Sequence, residues 1–137
     1  MASARENDLN PDIKIGLELP FARSRTGLFG LTETTLEQVG HNIKNLLLTA
    51  KGERLMQPDF GSDLKALLFE QHTDDLEARV EEAILDSIST WLSYVKVSKI
   101  NIIQKQETPN TINVDIKFSL NYDPERFNTV TLSVQGE

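Results

Sequence analysis

The chain has 137 residues, a length typical of a single domain with one hydrophobic core. Hydrophobic residues make up 39% and charged residues 26% of the chain, a composition that indicates a folded rather than a disordered protein. The net charge of -7 and the lack of any Lys/Arg run argue against nucleic acid as a partner, and the absence of cysteine excludes disulfides, thiol catalysis and cysteine zinc sites.

The N-terminal segment, residues 1–12, is polar, has no periodicity and contains Pro11. It predicts a flexible arm, followed by one domain over residues 13–137. The segment lacks the apolar stretch of a secretory signal, and no run of about 18 apolar residues occurs elsewhere. We therefore expect synthesis in a bacterial cytoplasm and no membrane partner.

The next residues alternate apolar and other side chains up to Pro20, which predicts a short, half-buried strand. Its apolar positions are Ile13, Ile15, Leu17 and Leu19. Residues 22–30 carry two glycines and no period, so they predict a loop.

Three amphipathic helices are predicted in the middle of the chain. The first begins at Thr34, which forms a capping-box pair with Glu37, and Gly52 is placed to end it. A short helix follows Ser62 or Asp63, and a longer one is capped near Thr73 or Asp74. The apolar positions are Leu36, Val39, Ile43, Leu46 and Leu47 in the first helix, Leu64, Leu67 and Leu68 in the second, and Leu76, Val80, Ala83, Ile84, Ile88, Trp91 and Leu92 in the third.

From Val95 onward the hydrophobic period changes to two, which predicts three strands. They cover residues 97–105, 112–120 and 127–134, with turns at residues 108–110 and 123–126. Connections this short favour antiparallel neighbours. The predicted fold class is α+β, a single domain whose helices pack on a small antiparallel C-terminal sheet.

A cell-wall glycoside hydrolase is the alternative function. It requires two carboxylates on either side of the scissile bond, and Glu53 and Asp59 are the candidates. Because the two residues are six positions apart on an irregular segment, the sequence does not indicate the distance between their carboxyl groups. With 21 acidic residues in the chain, such pairs also occur by chance. His41 and His72 lack metal-ligand spacing, and no serine has a nucleophile-elbow context. We therefore expect no catalytic residue, no metal site and no cofactor.

The connector loop between the first two helices, residues 52–61, has an unusual density of functional groups. It contains Glu53, Arg54, Pro58 and Phe60 in the sequence GERLMQPDFG. In one interpretation Arg54 ties down the loop and Phe60 is core. In the other the loop is a rigid knob that offers Glu53 and Arg54 to a partner. The residues alone do not favour one of these two interpretations over the other.

The segment IKNLLLTAK-GERLMQPDFGSDLKALLFE resembles the signature of the baseplate wedge family of contractile-tailed phages, a family shared with type VI secretion baseplates and phage-tail-like bacteriocins. The hallmark of that family is a Glu-Pro-Arg set, and the matching residues are Glu53, Arg54 and Pro58. GLELPF at residues 16–21 is similar to the entry segment of the family, and the resemblance extends over about residues 13–134.

The resemblance implies a structural role in a virion tail baseplate. Its implied partners are neighbouring wedge subunits and the tail sheath protein, whose first ring assembles on the wedge, with no small-molecule substrate. Some members of this family have been labelled lysozymes. The absence of a defensible acid/base pair here disfavours that activity.

The last predicted strand, residues 127–134, contains neither charge nor proline and has no later strand to cover it. An open edge of this kind can accept a strand from another protein. We therefore expect Thr129 and Thr131 to join Glu53, Arg54 and Pro58 as partner-binding residues, and the resemblance to the wedge family implies that extended sheath arms are the partner. Phe60 and Trp91 are expected in the core.

Overall fold

The computed structural model describes residues 6, 8–10, 12, 14–18, 30–70, 75–104 and 111–135. The chain divides into two compact units, residues 1–42 and 43–137, each of which is described by itself. The boundary between an arm and a domain at residue 12 stays a prediction.

The first unit contains a small antiparallel pair, β1 (Gly16–Leu17) and β2 (Leu31–Thr32). Backbone hydrogen bonds from Ile15 to the Thr32 carbonyl (2.9 Å) and from Glu18 to the Gly30 carbonyl (3.0 Å) extend the pairing. The strand predicted over residues 13–19 is thus observed at two residues, and Ile13 and Leu19 lie outside the described residues. Its partner β2 was not predicted, because two residues carry no measurable period.

Helix α1 (Thr35–Leu48) begins with the predicted cap. The Thr34 hydroxyl accepts a hydrogen bond from the Glu37 N–H at 3.3 Å, and the Glu37 carboxylate reaches back to the N–H of Glu33 at 3.2 Å. Asp8 Oδ1 also accepts hydrogen bonds from the N–H (2.7 Å) and the hydroxyl (2.8 Å) of Thr35. Most of the predicted apolar face is buried, at Val39, Ile43, Leu46 and Leu47.

The end of α1 differs from the expectation. The helix ends at Leu48, and the N–H and hydroxyl of Thr49 both donate to the Asn45 carbonyl, at 3.2 and 2.6 Å. Gly52 therefore lies beyond the helix, in a turn with φ +91°, where a residue without Cβ is favoured.

The second unit packs two helices on one face of a sheet. Helix α2 (Leu64–Phe69) buries Leu64, Leu67 and Leu68, as predicted. Helix α3 (Leu76–Trp91) begins after Asp75, and the predicted caps at residues 73 and 74 lie outside the described residues. α2 contacts the last strand and α3 contacts the first strand of the sheet. The buried stripe of α3 is Leu76, Val80, Ile84 and Ile88. The other predicted members, Ala83, Trp91 and Leu92, are only half-buried, and Leu92 lies just past the end of the helix.

The sheet has the antiparallel order β3 (Val95–Gln104), β4 (Thr111–Leu120) and β5 (Asp123–Gln135). Its inner face, which the helices cover, is apolar, and β4 is buried at every second residue from Ile112 to Leu120. The predicted α+β class with a small antiparallel C-terminal sheet is confirmed.

The turn between β4 and β5 was predicted at the wrong place. The chain turns at Asn121 and Tyr122, and residues 123–126 already belong to β5, with Asp123 paired to Leu120. Pro124 is a turn signal in a sequence, but an edge strand tolerates proline because one side of it needs no ladder hydrogen bonds. The turn predicted at residues 108–110 lies outside the described residues.

Within the described residues, no helix is both long and apolar enough to cross a membrane. The same part of the chain contains no cluster of three or more His, Asp or Glu side chains with metal-binding geometry.

Candidate partner-binding site

The connector loop is closed at its base by backbone hydrogen bonds. The Ser62 N–H donates to the Thr49 carbonyl at 2.9 Å, and the Gly52 N–H donates to the Pro58 carbonyl at 2.7 Å. The buried Ser62 hydroxyl donates to the Leu47 carbonyl at 2.7 Å. These bonds hold both ends of the loop against the end of α1. The loop is therefore a defined projection, and Pro58 contributes through its carbonyl as well as its rigid ring.

Gly61 makes this closure sterically feasible. Its φ of +127° lies in a region that L side chains rarely adopt, and a Cβ at this position would collide with the Thr49 carbonyl. Beside it, the Lys51 ammonium donates to the Asp63 carboxylate at 2.7 Å. This hydrogen bond raises the pKa of Lys51 above its usual value, and the charge of Asp63 adds to the effect.

Glu53 is exposed, but its carboxylate is engaged within the protein. One oxygen accepts a hydrogen bond from the Ala50 N–H at 2.9 Å, and the other lies 3.5 Å from the Lys65 ammonium. Glu53 therefore helps to shape the base of the connector loop, a role that the first sequence interpretation gave to Arg54. About half of its side-chain surface remains accessible to a partner.

Arg54, Phe60 and Trp91 form a stack that joins the connector loop to α3. The Arg54 guanidinium carbon lies 3.9 Å from the centre of the Phe60 ring. Phe60 meets Trp91 edge to face, with ring centres 5.1 Å apart and planes at 68°. Both aromatic side chains are half-buried, so their assignment to the core was wrong. The physical reason is that the loop lies at the surface and one face of Phe60 is covered by a guanidinium instead of an apolar neighbour.

The tip of the connector loop carries two side chains that sequence reasoning missed. Leu55 is 97% exposed and Met56 is 94% exposed, more than any other large apolar residue among those described. Single exposed apolar residues are common on protein surfaces, but two adjacent ones on a closed projection are typical of an interface. The available sequence signal was a Leu-Met pair in a polar segment that follows no helical or strand period.

The two carboxylates of the hydrolase alternative lie on the exposed connector loop. Glu53 and Asp59 are both exposed, whereas the acid of a glycosidase requires an apolar pocket that raises its pKa. Glu53 is also held by the Ala50 N–H and Lys65. This arrangement shapes the base of the loop.

Thr129 and Thr131 lie on β5, at one edge of the described sheet. Both are exposed on the outer face, where the Thr131 hydroxyl donates to Asp115 of β4 at 2.6 Å. The Thr129 N–H donates to the Asn128 side chain at 2.8 Å rather than to β4. Because antiparallel strands alternate between bonded and outward residues, the N–H groups of Thr131 and Ser133 also face the open edge.

The two edges of the sheet differ in regularity. β3 has a register shift between Val97 and Lys99, and it carries exposed lysines, two devices that discourage the addition of a further strand. β5 keeps an unbroken register with β4 from Phe127 to Gln135. Among the described residues, β5 is the edge better suited to accept a strand.

The connector loop, both following helices, β3 and β4 lie within residues 33–125, which match the family model described as "Baseplate wedge protein gp25". The chain is 24% identical to the baseplate wedge protein gp25 of Enterobacteria phage T4 over 128 residues, 93% of this chain and 89% of that protein. It is 28% identical to baseplate protein W of Escherichia phage P2 over 85 residues, 62% of this chain and 74% of that protein.

Solved structures share the fold. A Geobacter sulfurreducens protein named as a candidate tail lysozyme superposes with a TM-score of 0.69 at 17% identity, over 79% of this chain and 96% of that protein. A chain of the anti-feeding prophage baseplate gives a TM-score of 0.56 at 20% identity, over 88% of this chain and 84% of that chain. The similarity to phage baseplate proteins confirms the predicted location in a tail baseplate and the prediction of a baseplate structural protein. Because the family match covers well over half of the chain, the chain belongs to the baseplate wedge protein gp25 family.

Proposed function

We propose that this chain is a non-catalytic wedge subunit that binds neighbouring wedge subunits through its connector loop and offers β5 as the platform on which the tail sheath starts to assemble. The observation that carries the proposal is the closed connector loop, which holds Leu55 and Met56 almost fully in solvent. Burial of an exposed Leu or Met side chain is worth roughly 1.5–3 kcal/mol, so these two residues suit the centre of an interface.

Charged residues next to the tip offer polar contacts that fix the orientation of a bound partner. Glu53 is half-exposed at the base of the connector loop, and the Arg54 guanidinium is held over the ring of Phe60. An arginine held in one orientation loses less entropy when it binds a carboxylate than a mobile one does. The connector loop thus combines an apolar tip with pre-oriented polar contacts.

β5 supports the second half of the proposal. Its regular register and outward N–H groups match the requirements of β-augmentation, in which a partner strand gains affinity from main-chain hydrogen bonds. Thr129 and Thr131 would flank such a strand on the outer face. The proposed partner is an extended arm of the sheath protein.

The hydrolase alternative has no support from the described site. The structural likeness to the candidate tail lysozyme, at 17% identity, concerns the fold. Glu53 and Asp59 are both exposed, and Glu53 is engaged by the Ala50 N–H and Lys65, which supports a non-catalytic role. Release of sugars from purified cell wall by the isolated protein would contradict this part of the proposal.

The test is tail assembly in cells that carry the complete tail gene cluster and produce Leu55→Ser/Met56→Ser in place of this chain. We expect a folded protein that remains in the soluble lysate and is missing from purified tails, because its apolar contacts are lost. Phe69→Ser is the matched control, since Phe69 is also apolar and 62% exposed but lies on α2. Normal tails from the double variant, or equal defects in the control, would contradict the proposal.

A further inference from the structure

The outer face of the C-terminal sheet carries a second feature, which is separate from the connector loop and shares Phe127 with the β5 edge. The β3–β4 register places Lys99 directly opposite Lys117, and in the next row Lys96 lies opposite Ser119. The β4–β5 register places Phe127 opposite Ser119. Side chains of paired residues point to the same face, so three lysines and Phe127 share one corner of the sheet. We name this set the lysine corner: Lys96, Lys99, Lys117 and Phe127.

These lysines differ from four of the other cations of the second unit and share with Lys44 and Arg54 the lack of a carboxylate within 4.0 Å among the described residues. The cations at Lys51, Lys65, Arg79 and Arg126 each lie within 4.0 Å of a carboxylate. Lys96, Lys99 and Lys117 have no such partner among the described residues. Like charges directly opposite each other destabilise a sheet, so the Lys99–Lys117 pair costs free energy in the isolated protein.

Phe127 and Ser119 add to this arrangement. The Lys117 ammonium lies 4.7 Å from the centre of the Phe127 ring, and the ring is 48% exposed. Ser119 is buried between Lys96 and Phe127, and its hydroxyl has no hydrogen-bond partner within the described part of the chain. The corner thus offers unpaired positive charge, an exposed aromatic face and an unsatisfied hydroxyl.

Charge decides between the classes of ligand. The chain has a net charge of -7, and the positive charge of the corner is limited to three lysines. This is less than the extended Lys/Arg track that binds the phosphates of a long polyanion such as DNA. A short acidic peptide segment, in contrast, is small enough to contact the three lysines alone. An apolar side chain within that segment would cover the Phe127 ring.

We infer that the lysine corner binds an acidic protein segment, with two or more carboxylates next to an apolar side chain, on a partner in the assembled baseplate. The carboxylates pair with Lys99 and Lys117, and in doing so they relieve the repulsion between the two ammonium groups. The apolar side chain packs on Phe127. Asp115, the acid nearest to this corner on β4, accepts a hydrogen bond from the Thr131 hydroxyl and, within the part of the chain that the structure describes, makes no contact within 4.0 Å of the three lysine ammonium groups.

The test measures fluorescence anisotropy of a labelled peptide that alternates glutamate and leucine, titrated with the full chain. A glutamine–leucine peptide and a short DNA duplex serve as comparison probes. We expect the wild-type chain to bind the glutamate peptide in preference to both probes, and the binding to weaken with added salt. Lys99→Gln/Lys117→Gln should weaken it roughly three- to thirtyfold, the range for loss of two exposed ion pairs.

Lys65→Gln/Arg79→Gln is the control, because it makes the same change in net charge on α2 and α3, the helices that cover the opposite face of the sheet, and it should bind as the wild type does. The thermal midpoint of Lys99→Gln/Lys117→Gln should equal or exceed that of the wild type, because a repulsion has been removed. The inference is overturned if the wild type does not bind the glutamate peptide, if both double variants lose affinity equally, or if DNA binds as tightly. A lower thermal midpoint together with weaker binding would assign the lysines to the fold instead.

Discussion

Arg54 and Phe60 are six positions apart in sequence, and the guanidinium of one lies 3.9 Å from the ring centre of the other. This contact bridges the connector loop, with the exposed tip at Leu55 and Met56 between its two ends. It explains how ten residues without a helix or a strand present a defined surface. The loop is oriented by contacts on its inner side and leaves its apolar tip for a partner.

Arg54→Ala should leave the isolated protein folded and lower the free energy of unfolding by about 0.5–1 kcal/mol, the range for an exposed cation–π contact. Equilibrium urea unfolding measures the difference. Arg126→Ala is the control, because its guanidinium lies at the surface, 4.0 Å from Asp123, and its loss should cost less. Equal costs in the two variants would mean that the stack on Phe60 does not hold the connector loop.

Phe60→Ala and Trp91→Ala should each cost about 1–3 kcal/mol, less than the roughly 3–5 kcal/mol of a fully buried aromatic, because both rings are half-buried. Phe118→Ala is the comparison, since Phe118 on β4 is 0% exposed and should show the full cost. Thermal unfolding monitored by circular dichroism ranks the three variants. The partial burial of the stack is contradicted if Phe60→Ala is as damaging as Phe118→Ala.

Gly61→Ala and Gly52→Ala distinguish the cost of a collision with neighbouring atoms from the cost of a positive φ alone. At Gly61 the added methyl group meets the Thr49 carbonyl, so we expect a cost of about 2–4 kcal/mol and a disordered connector loop. At Gly52 the φ is also positive but the space is open, so the cost should be near 1 kcal/mol. Urea unfolding measures both, and equal values would show that the collision at Thr49 is relieved by a small shift.

The edge of β5 should be detectable by amide hydrogen exchange. In the isolated protein the outward N–H groups of Thr131 and Ser133 should exchange quickly, while those of Val130 and Leu132, which alternate with them, stay protected. In assembled tails all four should be protected. Slow exchange at Thr131 and Ser133 in the isolated chain would mean that the edge is already covered.

Thr131→Pro tests the same edge by assembly. Proline removes an outward N–H without breaking the ladder to β4, so the chain should fold and enter baseplates, yet fail to start a sheath. Thr131→Ala keeps the N–H and should assemble normally. Sheathed tails from the proline variant, seen by negative-stain microscopy, would contradict β-augmentation at β5.

The sequence predicted those features that depend on local periodicity. The capping pair of Thr34 and Glu37, the buried stripe of α3 and the strict alternation of β4 all follow from neighbours within one element. The sequence did not predict the turn at Asn121 and Tyr122, because Pro124 suggested a break and its tolerance depends on β5 being an edge. Partial burial of Phe60 depends in the same way on the tertiary stack between Arg54 and Trp91.

Only part of the candidate site was predicted from the sequence, because the rest also depends on tertiary contacts. The connector loop was located by its composition and by resemblance, but the exposure of Leu55 and Met56 depends on the hydrogen bonds that close the loop. The lysine corner requires the strand register, since Lys99 and Lys117 are far apart in sequence and meet only when β3 pairs with β4. A period of two indicates which face a residue occupies but not which residue lies opposite.

A cryo-microscopy map of the intact baseplate that contains this chain tests the central claim most directly. The account predicts that Leu55 and Met56 are buried against a neighbouring wedge subunit and that a strand of the sheath protein pairs with β5 along Phe127–Val134. A map in which the tip of the connector loop faces solvent and β5 has no added strand would contradict it.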